Sequence, residues 1–372
     1  MSSNNSSSLK ILALGDAHFQ TNNIREVNIF LDKLKQYITK NMQELDIICI
    51  MGDILHTHER LNITPLNKAI EFVELCASMK PTYVIVGNHD CEFNSIFLTT
   101  NHWLNCLKNK NNIKIIDNVT IETIKEQKIV FCPYVPDGRF IEALNTKKTQ
   151  WEDSKCIFSH VTIRDCKMGT IIAKDADEWK EEYPFLISGH IHGSQWVGKN
   201  MFYTGSILQV SVDEDPEKYI ILVTISSKDK PDIQCIDLQL PKKKIIYVDI
   251  SEIDEYKVPN EPETTYSLYL IGNYEQFKAF RKSNKYKELQ KFPQIGSSKN
   301  IKFKPNKLDI KNNIKHFEDL QKLKQKNFYE LLMENFNNEK DKITNKLMTS
   351  LLNNLLHNEE DLSDDLENNF II

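Results

Sequence analysis

Short apolar, β-branched runs in this chain end abruptly in residues that bind metal ions. They lead into Gly15-Asp16-Ala17-His18, Gly52-Asp53-Ile54-Leu55-His56, Gly87-Asn88-His89-Asp90, Ser159-His160 and Gly189-His190-Ile191-His192. Aspartate, asparagine and histidine are the donors preferred by borderline divalent ions such as manganese, iron or zinc. No cysteine stands among them, which argues against a closed structural zinc site. The spacing of Asp16 with His18, and of His190 with His192, predicts side chains on one side of an extended segment. Asp53 can bridge two ions with one oxygen on each. Two ions about 3.5–4 Å apart form a clamp for in-line displacement at phosphorus, activating a water and neutralising charge on the phosphate oxygens. One histidine after a strand is more often a satisfied surface residue than a ligand. Five such elements in order, most introduced by glycine, are a far stronger signal. His102, His316 and His357 lack this context and read as ordinary, and His58 reads as loop wall.

Such residues meet only if the strands that carry them lie side by side. Residues 10–14, 45–51 and 82–86 read as buried strands. They alternate with an amphipathic helix carrying Ile24, Val27, Phe30, Leu31, Leu34 and Ile38, and with a second helix expected to start at Thr64-Pro65. Alternation of this kind predicts a sheet covered by helices, with the strand ends converging. A helix is expected over 96–107 and another over 139–149. Further strands are expected over 113–116, 119–124, 128–132, 155–159, 185–188, 201–204 and 219–225. Two half-sheets facing each other with helices outside is the natural packing. Near Pro241 the character changes: strands over 245–250 and 266–271 and a helix over 274–291 suggest a small β-β-α module. Beyond about 306, Ile314, Phe317, Leu320, Leu323, Phe328, Leu331 and Leu332 follow helical spacing. That stripe either serves another protein or packs back on its own chain.

The 372 residues carry a net charge of −5, which taken alone argues against a nucleic-acid binder. The charge is segregated, however. Residues 278–326 hold 15 Lys/Arg against 4 Asp/Glu, and residues 359–367 hold six acids and no base. A basic stretch of this kind fits a local polyanion contact or a solvated helix face about equally. No apolar run approaches the length needed to cross a bilayer, so no membrane partner is expected. Residues 1–8 read as a loose polar leader. Eight scattered cysteines without Cys-x-x-Cys spacing predict small buried thiols at Cys49, Cys132, Cys156 and Cys235, in a reducing, intracellular compartment.

The order Asp-x-His, Gly-Asp, Gly-Asn-His-Asp, His, Gly-His-x-His resembles that of the calcineurin-like metallophosphoesterases over about residues 10–240. Gly52-Asp53-Ile54-Leu55-His56 and Tyr203-Thr204-Gly205-Ser206 resemble the SbcD-type nucleases of double-strand-break repair and phage recombination. The phosphatase patterns Gly-Asp-x-x-Asp-Arg-Gly and Gly-Asn-His-Glu are absent. The resemblance implies an α/β, four-layer α-β-β-α sandwich with a small β-α capping module and C-terminal helices. The implied boundaries are a leader over 1–8, the phosphoesterase domain over 9–240 and the capping module over 241–305. A partner-binding helical segment over 306–358 and an acidic tail over 359–372 would follow. Asp16, His18 and His192 would hold one ion, Asn88, His160 and His190 the other, with Asp53 between, the ions being Mn(II) by family habit. His89 would protonate the leaving oxygen, Asp90 would orient His89, and His56 would touch substrate phosphate. One departure is that Cys91-Glu92-Phe93-Asn94 replaces the Ser-Pro-rich continuation common in SbcD proteins.

The function so implied is metal-dependent DNA endo- and exonuclease activity in recombination and repair. Its partners would be DNA and an SbcC-like coiled-coil ATPase, with a homodimer left open. The capping module would position DNA, and the segment 162–183 either lines the groove or is an ordinary excursion between strands. Two other functions fit the same ligands less fully: hydrolysis of small nucleotide phosphodiesters, and a catalytically idle scaffold.

Overall fold

The structure, a computed structural model, describes residues 8–58, 60–226, 230–295 and 298–305. In chain order the elements begin with β1 (Leu9–Leu14), α1 (Ile24–Asn41), β2 (Ile47–Ile50), α2 (Ile63–Met79), β3 (Thr82–Ile85), β4 (Ile113–Ile116), β5 (Thr120–Ile124), β6 (Gln127–Phe131), α3 (Phe140–Asn145) and β7 (Cys156–Ser159). They continue with β8 (Lys167–Met168), β9 (Ile171–Ile172), β10 (Phe185–Ser188), β11 (Gln195–Val197), β12 (Met201–Tyr203), β13 (Ile220–Ile225) and β14 (Asp232–Ile236). The last are β15 (Lys242–Asp249), β16 (Thr264–Gly272), α4 (Tyr274–Phe280), α5 (Asn284–Lys291) and β17 (Ile301–Pro305).

Two six-stranded sheets carry the fold. The first runs β14-β13-β1-β2-β3-β4, and the second runs β11-β12-β10-β7-β6-β5. Strands β1 to β4 are mutually parallel, as are β12, β10, β7 and β6, while β13, β14, β11 and β5 each pair antiparallel with their inward neighbour in the sheet. Strand alternation decides what each face meets. Leu9, Ile11 and Ala13 of β1 pack with Cys49, Ile85, Phe131, Phe158 and Ile187, filling the space between the sheets. Leu12 and Leu14 point the other way, under Val27, Phe30 and Leu34 of α1 and Phe72 and Val73 of α2. On the far side, Val130, Ile157 and Leu186 pack under Phe140 and Leu144 of α3 and against Trp151. The result is the expected α-β-β-α order of layers.

Several elements depart from what periodicity predicts. The helix expected over 96–107 is only a short 3-10 turn, Trp103–Leu107. Upstream of it, Thr99 Oγ1 accepts the Asn101 N–H and Glu92 accepts from the Thr99 hydroxyl and the Asn101 amide, so side chains satisfy groups that a helix would need. Helix α2 starts two residues earlier than expected, with Asn62 rather than Thr64 at the cap and Thr64-Pro65 inside the first turn. Helix α3 ends at Asn145, short of 149. The single helix expected over 274–291 is two, α4 and α5. Strands β8, β9, β11 and β17 are additional. All eight cysteines are free thiols, and six are buried, but Cys235 lies on an exposed position of β14 rather than in the interior.

The chain divides into two compact units. One comprises residues 8–248, 255–269 and 284–302; the other comprises 249–254, 270–283 and, among described residues, 303–305. In the second unit Phe277 stacks on Phe303, and Tyr274, Lys278, Arg281 and Lys282 line a cavity of about 330 Å³. The leader, the helices expected over 306–358 and the acidic tail lie outside the described residues, apart from Ser8. Among described residues no helix is long and apolar enough to cross a membrane.

Phe72 is fully buried and meets the rings of Phe30 and Phe19 at centroid distances of 5.5 and 5.7 Å. Phe72→Ala is expected to cost about 3–5 kcal/mol. The check is a lowered urea midpoint at unchanged denaturant dependence.

Candidate metal centre

The parallel strands deliver their ends to one edge. Leu14 lies opposite Ile50, Ile50 opposite Val84, and Ser159 opposite Ser188. The segments after β1, β2, β3, β7 and β10 therefore leave the two sheets together, where open α/β sheets place their sites. Beyond the strands, alternation no longer applies. His18, Asp53 and His190 have φ of 45°, 48° and 79°, in the left-handed region that few non-glycine residues adopt. Asp16 and His18 do converge, but through a turn rather than a shared strand face. Asn23 helps hold that turn, its amide donating to the His18 carbonyl at 3.0 Å.

Two clusters result: Asp16 with His18 and His192, and Asp53 with His160 and His190. In the first, His18 Nε2 and His192 Nε2 are 2.8 Å apart. The Nδ1 of His192 donates to Glu214 Oε1 at 2.8 Å, leaving Nε2 as a lone pair when the ring is neutral. Asp16 Oδ2 is buried without a hydrogen-bond partner. In the second, His160 Nδ1 donates to the Met51 carbonyl at 2.8 Å. That bond aims Nε2 at Asn88 Oδ1 (3.0 Å), Asp53 Oδ2 (3.3 Å) and His190 Nδ1 (3.3 Å). Acceptors gathered on acceptors, with an orphaned carboxylate oxygen beside them, suit divalent cations. The residues present fit two such ions.

Asp53 sits between the clusters. Its Oδ1 accepts the His89 backbone N–H at 2.8 Å, whereas Oδ2 faces both His160 Nε2 and, at 3.7 Å, His18 Nε2. Oδ2 is therefore the Asp53 oxygen that would be available to ions held by the two clusters. Burial works against every charge in this region. It pushes Asp16 up to about 6. Burial also opposes the charged form of His160, but Asp53 and Asp16 outweigh it and hold this imidazole up at about 9. His190 is driven down to about 3 by burial and by the His160 charge. Close backbone approach requires glycine at two points. A Cβ on Gly87 would lie 2.2 Å from Asp53 Oδ1, and one on Gly189 would lie 2.6 Å from Asp16 Oδ1.

His89, His56 and His18 also draw their ring nitrogens together. His89 Nδ1 donates to the His56 carbonyl at 2.6 Å, and the ring stacks on His58 at 4.4 Å. Asp90 does not contact His89. Its Oδ1 accepts from Trp103 Nε1 (2.8 Å) and the Ile54 N–H (3.2 Å), and its Oδ2 from the Gly87 N–H (3.1 Å). The His56 carbonyl is the hydrogen-bond partner of the His89 ring, and Asp90 braces the loop that carries it. Burial, reinforced by Asp53, raises Asp90 to about 7. His102 is an ordinary buried histidine, 3.4 Å from Asp117 Oδ2.

The family model for calcineurin-like phosphoesterases matches residues 9–194, which carry both clusters. The chain belongs to the calcineurin-like phosphoesterase family. It is 40% identical over 278 residues to "Putative phosphoesterase 244L" of Invertebrate iridescent virus 6, covering 74% of this chain and 98% of that one. It is 34% identical over 323 residues to "Putative phosphoesterase 078R" of Invertebrate iridescent virus 3, covering 84% of this chain and 90% of the relative. Membership makes the chain a phosphoesterase, a hydrolase of a fold that implies divalent metal ions, and the two clusters are compatible with them.

Four supporting residues are not evident from motif order alone. Trp103 holds Asp90. The Tyr134 ring lies 5.7 Å from His190 and 6.2 Å from His160. Glu214 anchors His192 and is itself paired with Lys218 at 2.9 Å. The four-residue spacing of Glu214 and Lys218 was the one available signal, and without the fold it points nowhere. Burial would raise Glu214, but His192 and Lys218 bring it down to about 2, so it stays charged. Glu214→Ala is expected to weaken Mn(II) binding about 10–100-fold, because the acceptor that fixes the His192 tautomer is lost. Calorimetric titration, with circular dichroism as a folding control, checks this.

Proposed function

We propose that this chain is a two-metal-dependent DNA phosphodiesterase of the SbcD type. In this reading Asp16, His18 and His192 hold one ion and Asn88, His160 and His190 the other. Asp53 Oδ2 lies between them, and Mn(II) is the native ion. When bound, such ions supply an activated water and neutralise charge on the phosphate oxygens. The remaining steps belong to side chains. His56 contacts the substrate phosphate. His89, its Nδ1 tied to the His56 carbonyl, delivers the proton from Nε2 to the leaving oxygen as that P–O bond breaks and the water oxygen bonds to phosphorus. Asp90 acts through the loop it braces.

The observation that carries the choice of a polymer over a small nucleotide is the pair of open clefts beside the clusters. One, of about 720 Å³, is lined by His56; the other, of about 750 Å³, is lined by His190 and His192. Each opens off the same group of ligands, and two outlets suit a strand that enters by one and leaves by the other. The cavity of Tyr274, Phe277, Lys278, Arg281 and Lys282 offers the cations and rings that nucleic acid needs, which supports a DNA-positioning role for residues 241–305. The apolar stripe from Ile314 to Leu332 supports an SbcC-like ATPase as partner in recombination and repair, inside the cell.

The test is Mn(II)-dependent cleavage of single- and double-stranded DNA. His89→Asn is expected to lower the rate about 10²–10⁴-fold with two ions still bound per chain. Cleavage at the native rate, or loss of the ions in this variant, would remove His89 from the role of acid.

A further inference from the structure

Apart from His56, the cleft on the His56 side is lined by described residues that the phosphoesterase chemistry does not use. It is lined by His58, Arg60, Glu92, Phe93, Asn94 and their neighbours, and its volume of about 720 Å³ is within the ~300–1,000 Å³ usual for organic ligands. His89 leads into it. Its ring stacks on His58 at 4.4 Å and lies nearly parallel to His56 at 5.6 Å, and both of those rings line the cleft. If His89 protonates the leaving oxygen, the departing group must extend past these rings into this space.

Phe93 is the feature in the cleft that offers a stacking surface. The residue is 53% exposed, so its ring is open to a ligand. The loop that presents it is held on both sides. The Glu92 carboxylate accepts from Thr99 and Asn101, and the Tyr134 hydroxyl donates to the Asn94 carbonyl at 3.1 Å. Tyr134 in turn lies against His160 and His190, so the backbone that carries Phe93 is tied to the side of the metal ligands. A loop already held in place binds without the entropy loss of ordering it. Among the described residues of the lining Glu92 is the one acid, and its two hydrogen bonds tie its charge into the loop. Arg60 is exposed and forms no ion pair with any described residue.

Resting on the DNA reading, we infer that this cleft is the subsite for the nucleotide on the leaving side of the scissile bond. Its base stacks on Phe93, and Arg60 meets the following phosphate. Stacking tolerates any base, so the subsite selects for the presence of a base rather than its identity. The Cys91-Glu92-Phe93-Asn94 segment, where this chain departs from the SbcD pattern, is then the part that sets how a strand is gripped.

Two single-stranded oligonucleotides, identical except that the leaving-side nucleotide carries a base or is abasic, test this on the full chain with Mn(II). The wild type is expected to favour the intact strand roughly 10- to 100-fold in kcat/KM, the range set by one stacked base. Phe93→Ser should lose that preference, and Phe93→Trp should keep it. Equal cleavage of both strands by the wild type, or a preference that survives in Phe93→Ser, would overturn the subsite. Arg60→Gln should lower the slope of log affinity against log salt by roughly 0.7; an unchanged slope would overturn the phosphate contact. Failure of the DNA reading looks different. Neither strand would be cut while bis-p-nitrophenyl phosphate is still hydrolysed, and the inferred occupant would fall with that reading.

Discussion

A carboxylate oxygen buried among imidazoles is the constraint around which this molecule is arranged. Asp53 Oδ2 lies 3.3 Å from His160 Nε2 and 3.7 Å from His18 Nε2, and the Asp53 side chain is almost wholly removed from water. Burying that charge is costly unless partners compensate. The compensation comes from the His89 N–H on Oδ1 and from the histidines, or the cations they would share, on Oδ2. Positions around it follow from this. Gly87 leaves room for the carboxylate, and the Met51 carbonyl turns His160 toward it. Left-handed backbone at His18, Asp53 and His190 brings the donors inward.

The layered fold supplies the rigidity such crowding demands. Two sheets packed face to face and clamped by helices hold five strand ends at one edge. A second ring of polar residues then fixes the side chains: Glu214 with Lys218 behind His192, the His56 carbonyl behind His89, and Trp103 with Ile54 around Asp90. Precision at the centre therefore comes from backbone carbonyls and distant carboxylates as much as from the donors themselves. The loop after Asp90 is tied by Glu92 and Tyr134 but leaves Phe93 exposed.

Where apolar periodicity was strong, sequence and structure coincide. The stripe Val27, Phe30, Leu31, Leu34 and Ile38 is the buried face of α1, and the short β-branched runs are the inner strands. Where side chains compete with the backbone, the reading failed. The apolar residues of 96–107 suggest a helix, but Thr99, Glu92 and Asn101 bond locally and only one turn forms. Cys235 sits in a strand as expected, yet at the sheet's outer strand β14 a strand position does not imply burial. The resemblance implies that Asp90 acts on His89, and the structure shows its carboxylate held by the Ile54 N–H and Trp103, within the turn that carries both residues.

Donor identity and order were written in the sequence, because metal chemistry limits which side chains can serve and each follows a recognisable strand. The general layering was written there too, since a strand alternating with amphipathic helices has few ways to bury its faces. Tertiary structure alone decided which oxygen of Asp53 faces both clusters, which carbonyl orients His89, and that Glu214 stands behind His192. Such through-space relations join residues up to 174 positions apart, as where His18 meets His192. No local pattern encodes a contact whose geometry depends on how two sheets are packed.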